Sequence, residues 1–416
     1  MQVTPGRFRF ASVLIPVIAL ACWALPAPGS VTVEPEPEEL RFTSRFYDIT
    51  TDLDRADAAL VADHMDAVHA EYARRFSGFG KRNAEALRLW VFRDRDGYTE
   101  FLATHGIDAT GSGGMFFRRS SASGLASYLG DRPMDSMLET LRHEGMHQFT
   151  YQRIGDDLPV WLNEGMAEWF GYAMRTRTGF AMGLADPRAV GRLQLAAAED
   201  RLIPFGELLS MSHAEWNTRV QTGQGSVQYD QAWSVVQFLV YAEGGRYESA
   251  LIGLIRQLWS GVQPDRAIAQ SFGSDLAPME ALWKASVLAL EPDELYTGVA
   301  VLNAHGALLG ALDAIGEKPG SPEAMDAGLI EHAGRLALPD SVRTPLGRNE
   351  LTTGPDAWWR TMPTALRSGR PAVLRFVPDR KGRLPATVEI RGLKHRIRLV
   401  WSREGDAPAT HAIEID

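Results

Sequence analysis

Between residues 45 and 106 the chain reads as strand, helix, strand and short helix. RFYDITT at 45–51 alternates apolar and polar positions, as a half-buried strand does. Residues 54–76 place Ala58, Val61, Met65, Val68, Tyr72 and Phe76 on one recurring face, the spacing of an amphipathic helix. LRLWVF at 87–92 is a second strand closed by the polar turn RDRDG, and Tyr98 to Ala103 makes a short helix ending near Gly106. The Gly/Ser-rich stretch 110–130 (TGSGGMFFRRSSASGLASYLG) holds two short apolar pieces, which predicts a hairpin or irregular edge of the same sheet.

Longer periods follow. Helices are predicted over Met134 to Ile154 and Pro159 to Arg175, joined by the turn GDDLP. Pro159 suits a helix start, where a missing N–H costs nothing. From 187 to 290 the pattern stays mainly helical, with clear pieces at Tyr229–Tyr241, Tyr247–Trp259, Asp265–Phe272 and Leu276–Leu290. Residues 291–350 give only helical fragments broken by glycine and proline. Beyond about 370, AVLRFVP, ATVEIRG, HRIRLVWS and THAIEI alternate over short lengths, which reads as a small terminal β unit. The expected class is α+β, with a small N-terminal sheet, a helical lobe and this terminal unit.

The start of the chain has its own pattern. Arg7 and Arg9 precede an apolar run from Phe10 to Leu25, broken only by Ser12 and Pro16. That run is short for a permanent membrane helix, which wants about 20 apolar residues, and it fits a secretory signal peptide. Small residues offer cleavage points before Cys22 and before Ser30. Lipidation of Cys22 and an uncleaved anchor are the two alternatives. These three readings place the body outside the cytoplasm, in the periplasm or cell envelope; a cytoplasmic protein with an uncleaved apolar start is the alternative to all of them. The acidic VEPEPEEL at 33–40 reads as an exposed linker. The expected organisation is therefore 1–29 signal or anchor, 30–42 linker, 43–290 main domain, 291–368 connecting region and 369–416 β unit.

Composition narrows the chemistry. The 416 residues carry 43 Lys and Arg against 52 Asp and Glu, a net charge of −9, which argues against nucleic acid as a partner. Cys22 is the one cysteine, so an exported body has neither disulfides nor a thiolate zinc site. Any metal must be held by nitrogen and oxygen.

Such donors stand together in LETLRHEGMHQFTYQRIGDDLPVWLNEGMAEWFGY, residues 138–172. His143 and His147 are four apart on a predicted helix, so their rings project from one face and can converge on one ion. Glu144 follows the first histidine, where its carboxylate can approach a metal-activated water without being a ligand. A zinc ion on two histidines needs a third protein ligand and an open position. Glu164 on the next helix is the candidate; Glu168, one turn on, is the alternative ligand, though its place better suits an acceptor for a ligand histidine's N–H.

HEGMHQ followed by PVWLNEGMAEWF resembles the gluzincin zinc metallopeptidases, and among them exported bacterial proteins with a peptidase MA-like domain related to the M1 aminopeptidases. The resemblance covers about residues 45–290 and is specific at 138–172. It implies a thermolysin-like zincin fold, a Zn2+ cofactor and a peptide or protein substrate. It also implies His143, His147 and Glu164 as ligands and Glu144 as the general base. M1-like enzymes use a tyrosine downstream of the glutamate ligand as oxyanion donor, and Tyr229 in VQYDQAW resembles it; His213 is the competing donor. No GAMEN-like segment is present; TGSGGMFFR at 110–118 stands in its place, as an edge strand able to align a peptide by its backbone. Both endopeptidase and exopeptidase action stay open. So do a hydrolase of a non-peptide amide or ester and a non-catalytic, metal-stabilised module of the cell envelope.

Overall fold

The structure is a computed structural model and describes residues 39–80, 87–155, 158–338, 364–365, 370–403, 405 and 407–416. The expected export segment 1–29, with Cys22, lies outside these residues. So does most of the expected linker. Its last residues are not linker but strand: Leu40–Thr43 (β1) pairs antiparallel with Tyr47–Thr51 (β2), Phe42 facing Ile49. Four alternating residues are too few to register as a strand beside an acidic, proline-bearing run.

Asp54 starts the first long helix, Arg55–Arg75 (α1), by accepting the N–H groups of Ala56 and Asp57. That helix buries Ala58, Val61, Met65, Val68 and Tyr72, the face its spacing predicts. It crosses to Leu87–Phe92 (β3), which lies parallel to β2. Arg95–Thr104 (α2) leads to the hairpin of Gly114–Arg118 (β4) and Ser123–Tyr128 (β5). β5 runs parallel beside β3, so the sheet order is β1-β2-β3-β5-β4 and β4 is an edge.

Met134–Arg153 (α3) packs on β4 and β5 of this sheet, and Val160–Gly171 (α4) packs against α3. The helix expected to reach Arg175 stops at Gly171. Arg142 takes the carbonyl oxygens of Phe170 and Gly171, which another turn would need. The chain then forms a hairpin of Met174–Thr176 (β6) and Gly179–Ala181 (β7). The helical lobe follows: Pro187–Ala198 (α5), Phe205–Ser210 (α6), His213–Gln221 (α7), Gly225–Tyr241 (α8), Glu248–Trp259 (α9), Pro264–Phe272 (α10) and Ala277–Leu288 (α11). One core runs from Leu89 and Val91 of the sheet through Met146 and Trp161 to Trp233 and Trp283 of the lobe.

The expectation of broken helical fragments after 291 fails for Glu294–Asp313 (α12), one uninterrupted helix, which precedes Pro322–Glu331 (α13). Its glycines are contacts rather than breaks. A β-carbon at Gly298 would lie 2.5 Å from Ile397 Cδ1, and one at Gly306 2.5 Å from the His411 ring. After the short pair Thr364–Ala365 (β8) and Arg370–Pro371 (β9), the terminal unit is a four-stranded antiparallel sheet. Its strands, in order, are Val373–Val377 (β10), Thr387–Arg391 (β11), Ile397–Ser402 (β12) and Thr410–Ile415 (β13). α12 supplies Leu302, Leu308 and Leu309 to a second core shared with Val388, Ile390, Ile397 and Leu399. Among the described residues α12 alone is long and apolar enough to cross a membrane, and 56% of its most apolar window is buried. The architecture is α+β: a mixed N-terminal sheet, a long helical lobe and a separate small C-terminal sheet.

Candidate metal centre

α3 is built to turn two histidines one way. Met137, Leu138, Leu141, Met146 and Phe149 occupy its buried faces, and Gly145 lets α1 come close. A β-carbon there would be 3.1 Å from Tyr72 Oη and 3.2 Å from Met65 Cε. What remains is the face of His143 and His147. On α4, Gly165 does similar work toward α8, since a β-carbon would lie only 2.4 Å from Ala232 O. The glycine after Glu164 thus permits the closest approach of the two helices and draws α8, with Tyr229, to the site.

The donor atoms meet. His147 Nε2 lies 3.1 Å from His143 Nε2, and Glu164 Oε2 is 3.3 Å from His147 Nε2 and 3.6 Å from His143 Nε2. Zinc–ligand bonds of about 2.0–2.1 Å at tetrahedral angles put donors about 3.3 Å apart, so the three edges have the size zinc requires. The three side chains are between 13% and 17% exposed, which leaves an opening on the solvent side.

Electrostatics makes the same demand. Burial by itself would push both imidazoles down. At His143 the charges of Glu168, Glu164 and Glu144 outweigh it and raise the pKa to about 10; Glu164 and Glu144 raise His147 as well. Burial would push Glu164 up, but His147 and His143 hold it well below the usual carboxylate range. Two facing ring nitrogens and a carboxylate want one positive charge among them. A proton or a divalent cation can supply it, and this all-N/O donor set suits zinc.

Glu168 Oε1 lies 3.4 Å from His143 Nδ1, the place of an acceptor that fixes the ring and its tautomer. Burial raises its pKa, with Glu164, Asp230 and Glu139 adding to the rise against the pull of His143. His147 has no such support: its Nδ1 is buried without a hydrogen-bond partner among the described residues. Glu144 stands outside the donor triangle. Its Oε2 accepts the backbone N–H of Phe116 at 2.7 Å, which ties it to the edge strand β4.

Tyr229 is near but not at the helix start, since α8 begins four residues earlier, at Gly225. Its ring centroid is 6.4 Å from that of His143, and it packs edge-on against Trp216 at 5.1 Å. Burial, then the charges of Glu164, Glu144 and Glu168, lifts its phenol above the ordinary range, so it remains a hydrogen-bond donor. His213, the alternative donor, is exposed at the first position of α7. Ring contacts join Tyr229, not His213, to the histidine pair.

Three participants escape a reading by side-chain spacing. The Phe116 N–H is a backbone group. Asp230 is buried and held by Arg192 at 2.6 and 2.7 Å, which anchors α8 to α5 beside Tyr229. Arg142, buried next to His143, had one available signal: a charged residue amid the apolar flank of the helix.

No curated protein matches this chain. Residues 124–289, from β5 to the end of α11, match the family described as the Peptidase MA superfamily. That stretch is a Peptidase MA superfamily domain with a candidate metal site of His143, His147 and Glu164.

Proposed function

We propose that the protein is a zinc-dependent hydrolase that cleaves peptide bonds. The observation that carries the reading is the triangle of His143, His147 and Glu164, with Glu144 beside it and tied to the edge strand β4. A zinc ion held there would supply Lewis acidity, polarising a carbonyl and acidifying a water. The chain's own groups account for the rest. The Glu144 carboxylate takes the proton of the attacking water and returns it to the leaving amine. The Phe116 N–H keeps that carboxylate aimed at the site. Tyr229 offers its O–H to the oxygen on which charge develops. Glu168 holds the His143 ring so that Nε2 faces the metal. A peptide laid along β4 would be aligned by backbone hydrogen bonds, as an added strand.

An exported protein acting in the periplasm or cell envelope fits the basic and apolar pattern of residues 7–25. The substrate is then a peptide or protein of that compartment.

A peptide-library cleavage assay on wild type and Glu144→Gln, each with its zinc content measured, tests the reading. Wild type is expected to cleave peptides, and the variant to hold zinc at the same stoichiometry without cleaving. Undiminished cleavage by Glu144→Gln refutes the mechanism. Zinc binding with hydrolysis only of ester or amidated-glycan substrates makes the protein a non-peptide hydrolase, and zinc binding with no hydrolysis makes it a non-catalytic module.

A further inference from the structure

Glu164 and the two histidines stand on different helices, so their spacing depends on how α4 is set along its axis against α3. Apolar packing holds the two helices together, and hydrogen bonds, which are directional, add to how precisely one is set against the other. Two polar contacts address it directly: Thr150 Oγ1 on α3 donates to Asn163 Oδ1 on α4 at 3.1 Å, beside Glu164, and Arg142 holds the other end of α4. Arg142, next to His143, is 7% exposed, and its guanidinium reaches the last carbonyls of α4. Nη2 donates to Gly171 O at 2.7 Å, and Nε lies 3.2 Å from Gly171 O and 3.3 Å from Phe170 O. The end of α4 so held is beside the metal ligand itself, since a β-carbon on Gly171 would touch His143 Cβ at 3.6 Å.

The rest of the guanidinium is also fixed. Nη1 is 3.3 Å from His64 Nε2 on α1. Burial, then the charges of Arg142 and Arg175, holds His64 well below its ordinary pKa, so this ring is neutral and accepts. Tyr72, also on α1, donates its O–H to the Arg142 carbonyl. A buried cation is costly unless its donors are satisfied, and here acceptors on two helices meet it. It also sits at a helix C-terminus, where the partial negative charge of unpaired carbonyls favours it. A planar fork can span two adjacent carbonyls and a third acceptor; an ammonium cannot hold the same geometry.

We infer that Arg142 is a positioning residue for the metal centre: by clamping the C-terminal carbonyls of α4 to the turn of α3 that carries His143, it sets the distance from Glu164 to the two imidazoles. The inference rests on the zinc reading and goes beyond it, because it assigns the geometry of the site to a residue outside the donor set.

The test compares wild type, Arg142→Lys, His64→Leu and His64→Gln. Zinc affinity is measured by chelator competition, the visible spectrum with cobalt(II) in place of zinc, and the unfolding midpoint of the metal-free protein. Arg142→Lys is expected to bind zinc about tenfold or more weakly, the size of effect seen when groups behind metal ligands are lost, and to change the cobalt bands. His64→Leu, which removes one acceptor, should weaken zinc binding, and His64→Gln, which restores an acceptor oxygen, should recover it. Arg142→Lys binding zinc within twofold of wild type with an unaltered cobalt spectrum overturns the inference, whatever its unfolding midpoint. Should Arg142→Lys not fold, the His64 pair decides: equal zinc affinity in the Leu and Gln variants overturns it, and weakening in Leu recovered in Gln supports it. A wild type that takes up no zinc refutes the underlying reading instead, and does so before any variant is compared.

Discussion

Gly165→Ala sets two calculable effects against each other. Alanine is a better helix former than glycine by about 1 kcal/mol, and Gly165 lies inside α4, so propensity alone makes the variant more stable. Packing acts the other way. The new β-carbon would lie 2.4 Å from Ala232 O, 2.8 Å from Ala232 C and 2.9 Å from Val236 Cγ2. The first two are backbone atoms of a buried helix and cannot rotate aside. α4 and α8 must therefore separate, and overpacking of this kind costs about 1–3 kcal/mol, occasionally more. Sterics should win, for a net loss of about 1 kcal/mol or more. The separation also moves Tyr229, three residues before Ala232, away from the donor triangle, so kcat should fall more than KM rises. Urea unfolding of the metal-free protein and steady-state peptide cleavage measure the two consequences. A variant as stable as wild type or more so, with unchanged kcat, would refute the claim that this glycine sets the helix spacing.

Three further outcomes follow from the same geometry. Glu168→Gln should weaken zinc binding about tenfold by chelator competition, because a neutral amide supports the His143 Nδ1–H less well; unchanged affinity would remove Glu168 from the site. Tyr229→Phe should lower kcat about 100-fold or more with zinc content intact, the loss expected of an oxyanion donor, and an unchanged kcat would leave the tyrosine a packing residue. The metal-free protein should be most stable between about pH 4.5 and 6.5. The raised pKa of His143, about 10, contributes stability that is complete below its unfolded value and is lost as pH climbs through about 10. The depressed pKa of Glu164 contributes stability that is lost as pH falls below the ordinary carboxylate value. Thermal melts from pH 6 to 10 should decline without zinc and stay nearly level with it; parallel curves would contradict the shared-charge view of the site.

The candidate site was legible because helical spacing converts directly into geometry. His143 and His147 at i and i+4 meet at 3.1 Å, and Glu164 on the next helix lies 3.3 Å from His147 Nε2. Tyr229 was placed near the site by resemblance, and packing on Trp216 puts its ring beside His143. Backbone groups were not legible: nothing in MFFR marks the Phe116 N–H as the partner of Glu144. Glycine misled at α12, where Gly298 and Gly306 look like helix breakers but are points of close approach to Ile397 and His411. Such contacts join segments about 100 residues apart, and no local pattern carries them. The end of α4 was missed for the same reason, because the residue that terminates it, Arg142, lies on the preceding helix.

The central claim is that His143, His147 and Glu164 hold one zinc ion with a position left open. Diffraction from zinc-soaked crystals at the zinc absorption edge tests it most directly. The account predicts one anomalous peak about 2.0–2.1 Å from His143 Nε2, His147 Nε2 and a Glu164 carboxylate oxygen, with no fourth protein ligand. A peak elsewhere, no peak at all, or a fourth side chain closing the coordination would contradict it.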